Sequence, residues 1–318
     1  MQNPLNNGGS ARTTTTDVIK GIDLKGKIVV VTGGTAGLGL ETVRTLASAN
    51  AEVVVFARNL SKAKQALIDL PQVTLYQTPV DLSDRKTIAG FTDWFQANYQ
   101  QLDILINCAG VMAIPFARDP LGNELQISSN YLGHYYLTKA LLPLLKKTGN
   151  ARIVNLSSRA HWRAPFDFED PNFLEKPYDK WKAYAQAKTA VVLFTIALDE
   201  LYKESGIRAF AVHPGGIVTG LSSSLTDEEM SAMGTVIEDG ERQFSTYDEQ
   251  NKTISEGAAT IVWCAVSPQL EGLGGVYCEN ADISSLYTPG NEVTGVKEYA
   301  IDKELALELW EKTEGLFR

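Results

Sequence analysis

The chain has 318 residues, 44% hydrophobic and 21% charged, the composition of an ordinary globular protein long enough to bury its own core. Its 29 basic residues against 38 acidic ones leave a net charge of −9, which argues against a general affinity for nucleic acid or anionic membranes. Cys108, Cys264 and Cys278 are odd in number and far apart, and His134, His161 and His213 are scattered, so neither a disulfide framework nor a metal site is expected. No apolar run approaches the roughly 18 residues of a membrane span. The start of the chain lacks the apolar core of a signal peptide, and a cytoplasmic protein is expected.

Residues 1–20 are rich in Asn, Gly, Ser and Thr and read as a flexible tail, with a short helix over Asp17 to Leu24 leading into one domain over 21–318. Ile28 to Val31 is then an apolar, β-branched run without alternation, the pattern of a strand buried on both faces. Gly33, Gly37 and Gly39 follow at Gly-x-x-x-Gly-x-Gly spacing, and a helix opens near Leu38. Such a turn brings backbone N–H groups and a helix N-terminus to a pyrophosphate; alone it can also be a plain strand-to-helix connection.

Further short apolar runs at Val53–Phe56, Val73–Tyr76, Leu102–Ile106, Arg152–Leu156 and Ile207–Val212 alternate with helical stretches. That rhythm is βαβ and predicts a parallel sheet covered by helices on both faces, with ligands at the carboxyl ends of the strands. Two segments, 159–180 and 215–250, are longer than βα connections need and are expected to overhang that edge as substrate loops. The second carries Leu221, Leu225, Met230, Met233, Phe244 and Tyr247 among many charges, as a mobile lid with an apolar underside would. A solvated surface excursion is the plainer alternative.

Tyr184-Ala185-Gln186-Ala187-Lys188 places a phenol and an ammonium on one helix face. Ile153 to Ser158 brings a serine to the end of a buried strand, Asn107-Cys108-Ala109-Gly110 ends another, and His213-Pro214-Gly215 follows a third. With the glycine-rich turn, these motifs resemble, in order, those of the short-chain dehydrogenase/reductase family. The resemblance runs from about Gly21 to the C-terminus. It implies a single doubly wound Rossmann domain of α/β class, its central parallel sheet of about seven strands flanked by helices.

The same resemblance implies that Asn130, Ser158, Tyr184 and Lys188 are catalytic. Carbonyl reduction needs a proton donor and a second hydrogen-bond donor at the oxygen. Tyr184 and Ser158 fill those roles, with Lys188 lowering the phenol's pKa and Asn130 ordering a water. The resemblance favours Ser158 over Ser157 because the family's serine occupies the second place of this pair, and alternation lets only one of the two face the site. Cofactor contacts carried over are Gly33, Thr35, Gly37, Leu38 and Gly39 at the pyrophosphate, Asp81 and Leu82 at the adenine, and Asn107 and Gly110 beside the adenine ribose. Lys188 and Tyr184 meet the nicotinamide ribose, and Ile217 and Thr219 the carboxamide. Asp81 also reads as part of the cap of the next helix.

Arg58 ends the second strand where an NAD enzyme usually presents an acid, so NADP(H) is preferred, with NAD(H) as the alternative. Ala160-His161, Phe166 to Asp170, Tyr178 to Tyr184 and Leu309-Trp310-Glu311-Lys312 resemble the branch containing retinol dehydrogenases, WW-domain oxidoreductases and protochlorophyllide reductases. Cys108 replaces the family's second asparagine and reads as a small buried thiol. These features point to an NADP(H)-dependent oxidoreductase interconverting a ketone or aldehyde and its alcohol on an apolar small molecule. A non-catalytic NADP(H)-binding regulator is the alternative, and the family's habits make a homo-oligomer the weak expectation.

Overall fold

The computed structural model of the chain describes residues 2–290 and 293–317. The apolar runs form strands β1 (Ile28–Thr32), β2 (Glu52–Val55), β3 (Thr74–Leu75), β4 (Ile104–Asn107), β5 (Ala151–Leu156) and β6 (Ile207–Val212). Between them lie α2 (Gly37–Ser48), α3 (Leu60–Ala66), α4 (Arg85–Asn98), α6 (Gly133–Thr148) and α7 (Lys180–Tyr202), after a first short helix α1 (Thr15–Ile19) and with a single turn α5 (Leu125–Ile127) ahead of α6. Beyond β6 come α8 (Asp227–Ser231), a hairpin of β7 (Thr235–Glu238) and β8 (Glu241–Phe244), α9 (Ile254–Val266), β9 (Val276–Glu279), β10 (Asp282–Ile283) and α10 (Lys303–Leu316).

The main sheet has eight strands in the order β10-β9-β6-β5-β4-β1-β2-β3, parallel except for β10. Strand order reverses between β1 and β4, the crevice where open α/β sheets bind ligands at their carboxyl edge. Side-chain alternation splits the core into two layers. Val30, Val54 and Leu105 face one way, onto Phe91 and Phe95 of α4, Tyr131 and Tyr135 beside and within α6, and Phe194 of α7. Val29, Val31, Val53 and Ile106 face the other, onto Val43 and Leu46 of α2 and Ile261 and Trp263 of α9. Phe91 is fully buried, and its truncation to alanine would cost about 3–5 kcal/mol.

The start of the chain departs from the tail read in the sequence. The Gln2 side chain donates to the carbonyls of Tyr277 and Ser284 and accepts from Tyr277 N–H, and Asn7 donates to the Ala281 carbonyl. Polar side chains thus stand in for backbone partners along β9 and β10, which composition alone does not reveal. The short helix also begins earlier than expected, at Thr15, held by a Thr14–Asp17 capping box.

Segment 215–250 is built rather than featureless: it holds α8 and the β7–β8 hairpin. Leu225, Met230 and Phe244 are buried, whereas Leu221, Met233 and Tyr247 are exposed, the first two of them at the cavity. In segment 159–180 a single 3-10 turn, Arg159–Arg163, is followed by a loop in which the Asp170 carboxylate accepts the N–H groups of Leu174, Glu175 and Lys176.

Candidate functional site

The glycine-rich turn leaves β1 at Gly33, whose φ of +67° lies in the left-handed region, as does Gly37 at +50°. A methyl group on Gly39 would stand 2.3 Å from the Gly33 carbonyl oxygen, so only glycine lets α2 close against the turn. The twelve-residue α2 has no side-chain cap on Ala36, which leaves its first N–H groups for a ligand. Thr35 and Leu38 are half-buried beside it, and Thr219 lies against Gly37. A glycine cradle under an uncapped helix N-terminus fits a pyrophosphate.

Arg58 follows β2 and Asp81 follows β3, with Nη1 and Oδ2 3.9 Å apart and both side chains largely exposed. The other Asp81 oxygen accepts from Ser83 N–H and Oγ, whereas the N-cap of α4 is Asp84. The Leu82 carbonyl lies so close to Gly133 that a Cβ there would come within 2.2 Å of it.

Asn107 is in register with Thr32 on one side and Asn155 on the other, and its side chain donates to Asn155 Oδ1 (2.7 Å) and Thr138 Oγ1 (3.2 Å) within the protein. Its amide N–H groups are thus used within the sheet, whereas its Oδ1 is buried without a hydrogen-bond partner among the described residues. Gly110 does reach the site, where a Cβ would stand 2.5 Å from Asn130 Oδ1.

Asn130 occupies a π-helical turn, Ser128–Leu132, between α5 and α6. Its side chain accepts from Val111 N–H and donates to the Val111 carbonyl, both at 2.9 Å. One amide hydrogen and one oxygen lone pair are thus committed to Val111, which fixes the loop after β4. Its backbone carbonyl accepts from His134 Nδ1 at 3.0 Å. Thr32 Oγ1 accepts the N–H groups of Cys108 and Ala109, so its proton goes to His134 Nε2. Burial pushes this imidazole down to about 4, and it is neutral at pH 7.

Ser158, Tyr184 and Lys188 converge on one cavity of about 790 Å³ over the carboxyl edge of the sheet. Ser157 Oγ is turned inward onto the Lys188 carbonyl, so alternation presents Ser158 to Tyr184. Asp179 caps α7 by accepting from Trp181 and Lys182 N–H. Tyr184 and Lys188 then lie one turn apart, both buried, with Nζ 5.6 Å from the ring centroid. Lys188 Nζ donates to the Leu156 carbonyl at 2.8 Å.

Burial pushes the Tyr184 phenol up to about 12, against the hydrogen bond from Ser158, and lowers Lys188 to about 8. The sequence reading concerns the bound state, in which Lys188 and the positive charge of an oxidised nicotinamide together make this phenol more acidic. The protein alone keeps that phenol protonated at neutral pH, because desolvation of the phenolate outweighs the other influences. Cys108, also at the cavity, is pushed up to about 12 by burial and holds its proton.

Ile217 and Thr219 line the cavity, with Leu38, Met112, Met230 and Phe244 forming apolar wall. His161 went without a role in the sequence reading. Its Nδ1 donates to the Ser158 carbonyl at 2.7 Å and its Nε2 accepts from Lys297 N–H at 3.2 Å, tying the turn after β5 to the chain beyond β10. The spacing of His134 four residues after Asn130 was visible, but its hydrogen bonds depend on Thr32, over a hundred residues away. Among the described residues, no helix is long and apolar enough to cross a membrane.

Comparison with known proteins gives a consistent picture. Residues 27–230 match the short chain dehydrogenase family. A "Probable oxidoreductase" of Streptomyces lividans is 40% identical over 292 residues, covering 91% of this chain and 97% of that protein. Retinol dehydrogenase 12 of Homo sapiens is 37% identical over 274 residues, covering 85% and 80%. Among solved structures, an uncharacterized protein of Mycobacterium paratuberculosis superimposes with a TM-score of 0.71 at 28% identity, covering 96% of this chain and 97% of its own. A 3-ketoacyl-(acyl-carrier-protein) reductase from Brucella melitensis, complexed with NADH, shares the fold at a TM-score of 0.63 and 20% identity, covering 81% and 97%.

Proposed function

Since the chain belongs to the short-chain dehydrogenase family, we propose that it is an NADP(H)-dependent oxidoreductase interconverting a ketone or aldehyde and the alcohol on an apolar small molecule. The observation that carries this reading is the convergence of Ser158, Tyr184 and Lys188 on one largely apolar cavity beside the glycine-rich turn. The cofactor, when bound, exchanges a hydride with the carbonyl carbon.

Gly33, Thr35, Gly37, Leu38 and Gly39 would hold its pyrophosphate, Arg58 a 2′-phosphate, and Asp81 and Leu82 its adenine end. Lys188 and Tyr184 would hold the nicotinamide ribose, and Ile217 and Thr219 the carboxamide. The protein's own groups handle the proton. Tyr184, a phenol at neutral pH, gives its proton to the oxygen as negative charge grows there, and Ser158 donates a second hydrogen bond to the same atom. In the alcohol-to-carbonyl direction the phenol must first lose its proton. Lys188, one helical turn away, favours that loss, as would the positive charge of an oxidised nicotinamide. Asn130 acts as a positioning residue through Val111.

Arg58 favours NADP(H) because no carboxylate stands in its place at the end of β2. NADPH oxidation, with NADH in parallel, across aryl ketones, aliphatic aldehydes and retinal tests the reading. Turnover with NADPH is the expected result, and failure to bind either cofactor would overturn it.

A further inference from the structure

The cavity is lined by four cations, Arg159, Arg163, Lys188 and Lys297, and by no Asp or Glu among the described residues, in a chain that carries a net charge of −9. Lys188 belongs to the site already described. The other three stand apart from it in a common manner, each laid on an aromatic face: Arg159 on Trp162 at 5.6 Å, Arg163 on Trp181 at 5.0 Å and Lys297 on Tyr287 at 3.2 Å. Two of these platforms touch, Trp162 and Tyr287 at 4.9 Å. Among the described residues none of the three cationic groups makes an ion pair or a side-chain hydrogen bond. Glu279 and Asp248 are the carboxyls that feel Arg159 electrostatically, and neither is within 4 Å of it.

Their place in the fold separates them from the cofactor's phosphates. Arg159 and Arg163 follow β5, and Lys297 lies beyond β10, on the β5-to-β10 half of the sheet. The glycine-rich turn and Arg58 follow β1 and β2, on the other half. Aromatic faces hold the cations in position at little cost and leave their N–H groups for a ligand. Arg159 and Lys297 are half-buried and attract an anion more strongly than they would in open water, to which the exposed Arg163 adds a weaker pull.

We propose that the substrate is a carbonyl compound bearing a carboxylate at its far end, with the carbonyl at Ser158 and Tyr184, an apolar stem in the cavity, and the carboxylate held by Arg159, Arg163 and Lys297. This rests on the proposed carbonyl chemistry, and the test separates the two. The probes are 4-formylbenzoate and 5-(4-formylphenyl)pentanoate, each beside its methyl ester, which matches the shape and removes the charge. For at least one length, kcat/KM with NADPH should favour the acid by about ten- to a hundredfold. That ratio should fall towards one in Arg159→Gln, Arg163→Gln or Lys297→Gln, and with rising salt.

An ester turned over as well as its acid at both lengths would overturn the carboxylate site and leave the reaction class standing. Binding read by tryptophan fluorescence, with Trp162 and Trp181 in the cavity wall, covers the case of no turnover at all. Tighter binding of the acids would then support the carboxylate site while removing the proposed reaction, and equal binding of acids and esters would overturn the site.

Discussion

Arg58 and Asp81 face each other across 3.9 Å at the ligand edge of the sheet, their side chains 70% and 42% exposed. An ion pair so open to water holds its partners weakly, so the guanidinium can turn to a 2′-phosphate without losing much. Arg58→Asp should lower the NADPH-to-NADH ratio of kcat/KM by about ten- to a hundredfold, and Asp81→Asn should raise NADPH use slightly. An unchanged ratio in Arg58→Asp would mean that another residue holds the phosphate.

Tyr184→Phe keeps the ring in place and removes the proton donor. Turnover should fall by about a hundred- to ten-thousandfold, with the dissociation constant for NADPH changed by less than about threefold. Near wild-type kcat would remove Tyr184 as the acid.

Lys188 is a buried ammonium whose pKa falls from 10.5 to about 8 because desolvation disfavours its charge. Between those values the unfolded chain keeps a proton that the folded one releases, so wild-type stability gains as pH rises through that window. Lys188→Met lacks this gain. Urea unfolding of both proteins from pH 7.5 to pH 10 should show the difference moving in favour of the wild type; a constant difference would mean that the lysine is not depressed.

His134 and His161 are held down to about 4 by burial, and His213 is pushed well below its ordinary value. As pH falls from about 6.5 towards 4, the unfolded chain takes up protons that these rings refuse, and stability is lost. Each ring contributes a slope of up to about 1.4 kcal/mol per pH unit, so His134→Gln should be visibly less acid-sensitive across this range. Equal slopes in unfolding free energy would show His134 to be protonated in the fold.

Much of this was legible beforehand because the relevant chemistry is local. Tyr184 and Lys188 share a helix face by spacing, Ser158 follows from the family's motif, and the turn glycines follow from backbone geometry that other residues do not tolerate. What escaped depends on register. Thr32, Asn107 and Asn155 form one rung across three adjacent strands, and within it the Asn107 side chain donates to Asn155. The sequence of one strand cannot show which residues of its neighbours lie alongside. The depth at which Tyr184 is buried escaped for a related reason: the lysine's position was visible, whereas burial belongs to the assembled fold.

Arg12 gives the first residues of the chain a bearing on substrate entry. Its guanidinium pairs with Glu256 at 3.0 Å and donates to the carbonyls of Asp248 and Asn251, where segment 215–250 rejoins the body of the protein. The N-terminal segment is therefore a strut beneath the return of the loop that roofs the cavity. A fusion partner or purification tag that dislodges it would remove the ties of Arg12 to Glu256, Asp248 and Asn251 from a segment whose residues line the cavity.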